Sequence, residues 1–251
     1  MDAPVGFTDT DRAFFARDVF DVAPQLLGCA LRRTDAAGTV ALRITEVEAY
    51  AGERDPGSHS YRGRTARNAT MFGPAGHVYC YFSYGLHHAV NLVTGRVGQP
   101  YGCLVRAGRV VEGVELARRR REAGGRRSPL PDRALARGPG NVAQALGATL
   151  ADDGDDLFGS AWQFFVPTGA GPDAARPTIA TGPRVGVSGP AGDAVAFPWR
   201  YWIAGDPTVS SYRPAKPRLP AKPHGPSETP TETRRPTETH HPAEPHQEEP
   251  T

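Results

Sequence analysis

The chain is almost without lysine. Its 251 residues include 29 Lys and Arg together, yet the only lysines are Lys216 and Lys222. The body before position 214 therefore has no side-chain amine, which excludes Schiff-base catalysis by a lysine there. Its cations are arginines, whose planar, permanently charged guanidinium groups bind phosphate well. Cysteine is scarce too. Cys29, Cys80 and Cys103 are odd in number and far apart, with no CxxC. Neither a disulfide framework nor a zinc ribbon is expected, and a reducing cytoplasm is the natural compartment. No apolar run approaches the roughly 18 residues of a membrane helix. The start MDAPVGFTDTDRAFF lacks the basic segment and apolar block of a secretory signal. His59, His77, His87 and His88 form neither HxxxH nor HExxH, and adjacent histidines on a strand point to opposite faces, so no metal is expected.

What is present suffices for one soluble domain. A hydrophobic content of 39% can build a core in a body of this size without disulfides or a structural metal. From Pro214 the composition changes: ten prolines fall in 38 residues, and Leu219 is the only large apolar residue. Such a segment cannot bury enough surface to offset its ordering entropy. The expected organisation is a domain over 1–213 and a disordered, proline-rich tail over 214–251. Its role, whether a solvated extension or a partner-binding segment, is open.

Within the body, Asp9–Leu27 reads as helical, with Asp9 or Asp11 as cap, Gly28 as stop and Pro24 able to start a second helix. Cys29–Arg33 and Val40–Tyr50 read as strands joined by a DAAG turn. Ala51–Ala75 is rich in loop residues. His77–Ser83, His88–Thr94 and Cys103–Val111 read as strands. Val114–Ala123 reads as a helix followed by a basic loop over Gly124–Arg137, and Asn141–Leu146 begins another helix. Ala161–Val166 and Ala194–Ile203 are β-like. With no repeat and no regular βαβ alternation, the expected class is α+β: a single domain with a curved antiparallel sheet flanked by helices.

The stretch Glu46–Asn91 concentrates the chemistry. A period of two places Leu42, Ile44, Glu46, Glu48 and Tyr50 on one strand face that begins apolar and ends acidic. A carboxylate where a strand passes from core to cleft is poised as a base; the competing reading is two solvent-facing glutamates near a strand end. Arg54, Arg62, Arg64 and Arg67 share a loop with Asn68 and two glycines, suited either to a phosphate backbone or simply to solvent. Tyr79 and Tyr81 share a strand face and Tyr84 stands beyond it. Such rings can sandwich an extruded base or wedge into a stack, or can pack across strands. The run Arg118–Arg121 cannot all face one ligand and reads as a charged helix end.

Together these residues resemble the alkyladenine DNA glycosylase family, also called methylpurine or 3-methyladenine DNA glycosylases of the mammalian type. The likeness rests on LLG at 26–28, EVEAY at 46–50, DPGSHSYRGRTARNATMFGPAGHVYCYFSYG at 55–85 and NLVTG at 91–95. It continues through CLVRA at 103–107, GPGNVAQALG at 138–147 and PRVGVS at 183–188. These motifs occur in family order over about residues 12–212. The departures are Ala75 where proline is common, Ala89 where cysteine is common, and the tail.

The resemblance implies an enzyme that needs no cofactor and acts on double-stranded DNA containing damaged purines, cutting the N-glycosidic bond. A cytoplasmic protein is expected, nucleoid-associated in a bacterium and without membrane contact, and nothing in the sequence suggests more than a monomer. Glu48 matches the residue that deprotonates the attacking water, and Arg106 the residue that helps hold that water. Tyr50, His59 and Tyr81 match the walls around the flipped base, and Asn91 the group that crowds a guanine amino group. Tyr84 matches the side chain that fills the gap in the stack, while Arg62, Arg64 and Arg67 are the expected backbone contacts. Two other classes stay open on the residues alone. One is a sugar hydrolase using Glu46 and Glu48 as an acid and nucleophile pair. The other is a non-catalytic binder of DNA structure using the arginine loop and Tyr84.

Overall fold

The β-branched and aromatic runs form strands, and these assemble in one sheet. The computed structural model describes residues 2–83, 87–125, 128–169 and 177–215. Its strands are β1 (Phe7–Asp9), β2 (Ala30–Asp35), β3 (Gly38–Ala51), β4 (Val78–Ser83), β5 (His87–Thr94), β6 (Tyr101–Glu112), β7 (Ala136–Arg137), β8 (Trp162–Pro167), β9 (Ile179–Gly182) and β10 (Arg200–Ile203). The main order is β1-β8-β2-β3-β6-β5-β4; β10 joins β3 and carries β9, and β7 joins β6. All pairings are antiparallel. Helices α1 (Val19–Gln25), α2 (Val114–Glu122) and α3 (Pro139–Leu146) flank the sheet. The fold is therefore α+β, as expected. None of the described helices is long and apolar enough to cross a membrane. The tail expected from Pro214 lies, from residue 216 onward, outside the described residues.

β3 organises everything near the site. Its first half pairs with β2 through the expected hairpin, where Asp35 Oδ1 accepts from Ala37 N at 2.9 Å. Its second half exchanges β2 for β10, with Glu46 opposite Trp202 and Glu48 opposite Arg200. On its other edge, β6 follows it with register shifts. Ile44 faces Gly108 and Glu46 faces Ala107, so Thr45 is an extra residue on β3. Val47 faces Val105, so Arg106 is an extra residue on β6. Bulges of this kind bend a strand and re-aim its side chains.

These bulges correct the expected face. Leu42 and Ile44 point into the main core, but beyond Thr45 it is Val47, Ala49 and Ala51 that join them there. Glu46, Glu48 and Tyr50 do share a face, and it is the opposite one. β6 changes in step: Cys103 and Val105 belong to the core before its bulge and Val110 after it. The core itself is conventional. Phe15, Val19, Val22 and Leu26 cluster with Leu31, Leu42, Ile44 and Val105, all fully buried, each side chain contributing about 1.5–3 kcal/mol by leaving water. The three cysteines are free and buried. Burial pushes the Cys29 and Cys80 thiols up to about 12 and raises Cys103 as well.

Several local expectations are corrected by long-range contacts. The helix expected over Asp9–Leu27 is only Val19–Gln25, capped by Asp18, whose Oδ1 accepts from Phe20 N at 3.0 Å. Upstream, Phe7–Asp9 adds an edge to β8, and Arg12–Phe14 makes a 3-10 turn. Phe15 is drawn onto Phe164 at 4.8 Å between ring centroids, so tertiary packing overrides local propensity. Pro24 is accommodated inside α1. The expected strand Ala194–Ile203 forms only from Arg200. Asp193 Oδ1 accepts from Val195 N and Ala196 N, curling the segment, and Pro198 has no N–H for a ladder. β9 was not expected. The basic loop Gly124–Arg137 contains a 3-10 turn at Asp132–Ala134 and strand β7, and the loop Ala51–Ala75 contains 3-10 turns at Gly52–Arg54 and Ala66–Phe72. α3 starts at Pro139, where a missing N–H costs nothing, and stops at Gly147 with φ +73°.

The arginine run on α2 clamps the fold internally. Arg120 Nη2 donates to both carboxylate oxygens of Asp35, at 2.8 and 2.7 Å, while its Nη1 caps the C-terminal carbonyls of α3. Arg121 Nε donates to Leu135 O at 2.8 Å and Arg118 pairs with Asp132; Arg119 is exposed.

A second long-range clamp is deeper. Arg184 and Asp55 are both fully buried and pair in two-pronged fashion at 2.5 and 2.7 Å. Asp55→Ala leaves that guanidinium buried and unpaired, and urea unfolding is expected to show a loss of about 3–5 kcal/mol. Arg54→Ala removes the exposed pair with Asp18 and the surface stacking on Tyr101 and is expected to cost about 1 kcal/mol. Equal costs for the two variants would refute the keystone role of the buried pair.

Candidate active site

Past its bulge, β3 aims Glu48 and Tyr50 at a cavity of about 480 Å³. β6 contributes Leu104 and Arg106 to the lining, the β4–β5 pair contributes Tyr79, Tyr81 and Asn91, and the loop after Asp55 brings His59. The segment Val185–Ser188 closes one side. Strand pairing explains part of this convergence: Asn91 and Glu48 both sit opposite Leu104, on the two edges of β6.

Glu48 is buried to 0% exposure, and its hydrogen bonds are well defined. Oε1 accepts from Val185 N at 2.6 Å and lies 3.2 Å from Arg106 Nη1. Oε2 accepts from the Tyr50 hydroxyl at 2.8 Å. Burial, reinforced by the charge of Glu48, holds the Tyr50 phenol well above its usual range, so it stays protonated and donates. Burial opposes the charge on Arg106, but Glu48 and then Glu46 outweigh it and the guanidinium pKa rises.

Glu46, two residues away, has a different environment. Its Oε1 accepts from Arg106 Nε at 2.9 Å, Arg200 Nε at 2.7 Å and Ser210 Oγ at 2.9 Å. Its Oε2 accepts from Ser210 N at 2.6 Å. It is fully buried and does not line the cavity. The reading of Glu46 and Glu48 as solvent-facing residues is thereby corrected. The two share a face but only Glu48 reaches the space a ligand could enter.

The rings gather where the spacing suggested. His59 packs edge-on to Tyr81 at 4.6 Å between centroids, and Tyr79 lies 5.6 Å from Tyr81. His59 Nδ1 and the Tyr79 hydroxyl are 3.3 Å apart. Burial, and then the charge of Arg67, lower the His59 pKa, favouring neutral imidazole. Tyr50 is backed by the Arg184 guanidinium at 4.6 Å from its ring centroid. Asn91 Nδ2 donates to Tyr79 O at 3.1 Å, which fixes the amide at the cavity wall. Arg62, Arg64 and Arg67 are exposed, and Arg67 stands 5.9 Å over the Tyr81 ring. Arg54 turns away to Asp18 and to the face of Tyr101. Tyr84 lies outside the described residues; β4 and β5 pair up to Ser83 opposite His87 on either side of it.

Four residues at the site carried no local signal of a role in the sequence: Asp55, Arg184, Arg200 and Ser210. Asp55 Oδ1 accepts from Gly57 N at 2.8 Å and so shapes the start of the loop that carries His59. Asp55 fell in the loop-rich stretch Ala51–Ala75, and nothing near it pointed to a partner 129 residues away. Arg200 and Ser210 sit in plain β-like and turn sequence.

A family model for methylpurine-DNA glycosylase matches residues 13–207. A protein of Streptomyces avermitilis is 51% identical over 214 residues, covering 84% of this chain and 95% of its own length. One of Leifsonia xyli subsp. xyli is 49% identical over 215 residues, covering 85% and 97%. One of Nocardia farcinica is 47% identical over 196 residues, covering 76% and 85%. Each of the three bears the name "Putative 3-methyladenine DNA glycosylase". With the family pattern running through most of its length, and relatives near half identical over most of theirs, this chain belongs to the methylpurine-DNA glycosylase family.

Proposed function

We propose that this protein is a monofunctional DNA glycosylase of base excision repair, with residues 1–213 as its catalytic domain. It flips alkylated or deaminated purines of the 3-methyladenine, hypoxanthine and ethenoadenine class out of duplex DNA and leaves an abasic site. One observation carries the reading. Glu48 is a fully buried carboxylate at the floor of a cavity walled by Tyr50, His59 and Tyr81.

The chemistry follows from its contacts. A carboxylate offers about four acceptor positions; Val185 N and the Tyr50 hydroxyl fill two, and Arg106 pairs with Glu48 by charge at 3.2 Å. An open position takes a water proton. The glycosidic C–N bond breaks with its electron pair leaving on the purine, and the sugar carbon gains oxocarbenium character. Glu48 stabilises that cation and accepts the proton as the water oxygen bonds to the carbon. Arg106 holds the carboxylate and the water. Tyr50, His59 and Tyr81 stack on the extruded base, and Asn91 crowds a guanine amino group. Tyr84 fills the gap left in the stack, while Arg62, Arg64 and Arg67 contact the backbone. Unstacking costs a few kcal/mol, less at a damaged pair, which favours lesions. The sugar-hydrolase reading loses its support because Glu46 is engaged by two arginines and a serine away from the cavity.

Glu48→Gln is expected to slow single-turnover release of hypoxanthine from a duplex by about 10²–10⁴-fold with unchanged DNA affinity; near-normal release would place the base elsewhere. Capture of the damaged nucleotide divides between two sets of side chains. Tyr84→Ala should lower the fluorescence of a flipped-base probe, and Arg62→Ala, Arg64→Ala and Arg67→Ala together should flatten the fall of affinity with salt. Unchanged probe signal and salt slope would remove both assignments. Borohydride treatment during turnover is expected to trap no covalent protein–DNA adduct, since the body offers no lysine; an adduct would show a lyase.

A further inference from the structure

Beyond β10 the chain does not simply leave the domain. It runs back across the strand pair that carries Glu48 and Arg106, and it is fastened at the two bulges beside the site, Thr45 and Arg106. The Thr45 hydroxyl, on the extra residue of β3, lies 2.7 Å from the Thr208 hydroxyl, and both side chains are buried. Arg106, the extra residue of β6, directs Nη2 at Ser210 Oγ, 3.4 Å away. Arg200 Nη2 donates to Ser210 O at 2.9 Å and Arg137 Nε to Val209 O at 2.8 Å. Finally Gly186 N donates to Arg213 O at 3.1 Å. Gly186 follows Val185, whose own N–H holds Glu48. One short segment therefore touches both bulge residues and the loop that grips the catalytic carboxylate.

From this placement we infer that Thr208–Arg213 is a strap that sets the catalytic pair and that Ser210 is its positioning residue. The inference rests on the assignment of Glu48 and Arg106 made above. Ser210 is suited to the task because a hydroxyl both donates and accepts. It donates to Glu46 Oε1 and accepts from Arg106 Nη2, while its backbone N–H closes on Glu46 Oε2. Glu46, held at both oxygens, in turn fixes Arg106 Nε. The guanidinium is rigid and planar, so fixing Nε and Nη2 orients Nη1 toward Glu48. Ser210 touches no reacting atom; it acts through Glu46 and Arg106. It also lies beyond residue 207, where the family match ends.

The test is single-turnover and steady-state excision of hypoxanthine from a duplex by the full-length protein, with thermal unfolding measured alongside. Ser210→Ala removes both side-chain bonds and leaves the backbone bond. We expect kcat and the single-turnover rate to fall at least about tenfold, since both lost bonds are to charged groups, with KM and DNA affinity unchanged. Ser210→Thr, which restores a hydroxyl, should recover the rate; Ser210→Asp, which sets a like charge against Glu46, should lower it further. A merely structural serine would shift the melting temperature and leave the rate of the folded enzyme unaltered. That outcome, or a loss confined to KM, or an Ser210→Thr variant no better than Ser210→Ala, overturns the strap while leaving the glycosylase reading intact. A wild-type protein that releases no base overturns both.

Discussion

Two carboxylates can lie buried on one strand face only if cations are held against them. Arg106 bridges Glu46 and Glu48, and Arg200 adds a second positive charge to Glu46. Desolvating such groups is costly, and their attraction offsets that cost only when the geometry is good and the remaining donors and acceptors are satisfied. Here the Tyr50 hydroxyl, Val185 N–H and both Ser210 donors serve most of them, and Glu48 keeps acceptor capacity toward the cavity. The arrangement depends in turn on the paired bulges at Thr45 and Arg106. Without them the acidic half of β3 would face the hydrophobic side together with Leu42 and Ile44, where no cation waits. The rest of the site is arranged around this cluster.

Arginine occupies three physical settings in this lysine-free body. At 62, 64 and 67 it is exposed to solvent, with Arg67 standing over the Tyr81 ring. On α2 it caps helix ends and closes loops. In the interior, at 106, 184 and 200, it neutralises carboxylates and stacks on rings, a use for which a planar, weakly hydrated cation is better suited than an ammonium group. Arg184 joins two walls of the cavity, gripping Asp55 at the start of the His59 loop while standing over the ring of Tyr50.

How much was legible in the sequence depended on range. The strand pair over 78–94, the shared face of Tyr79 and Tyr81, and the common face of Glu46, Glu48 and Tyr50 follow from a period of two and survive intact. The continuity of that face with Leu42 and Ile44 does not, because a bulge is a property of two strands and β3 alone carries no mark of it. The long helix expected before Gly28 fails for a similar reason: Phe7–Asp9 and Phe15 are claimed by β8, some 150 residues later. The four-arginine run reads correctly as unsuited to one ligand, but its clamping of Asp35, Leu135 and the end of α3 appears only in three dimensions. Asp55 with Arg184, and Glu46 with Ser210, are partners that no local pattern announces.

The distances along the chain have a further consequence. Glu46 and Ser210 are 164 residues apart and Thr45 and Thr208 163, so the contacts that hold the buried carboxylate cluster are also among the least local. Contacts that close such long loops form slowly, after hairpins such as β4–β5 have assembled. They also need not wait for global unfolding to be lost, since a short peripheral segment can detach as its own unit. The buried charge cluster is thus tied to a part of the chain that the sheet's own pairing does not hold.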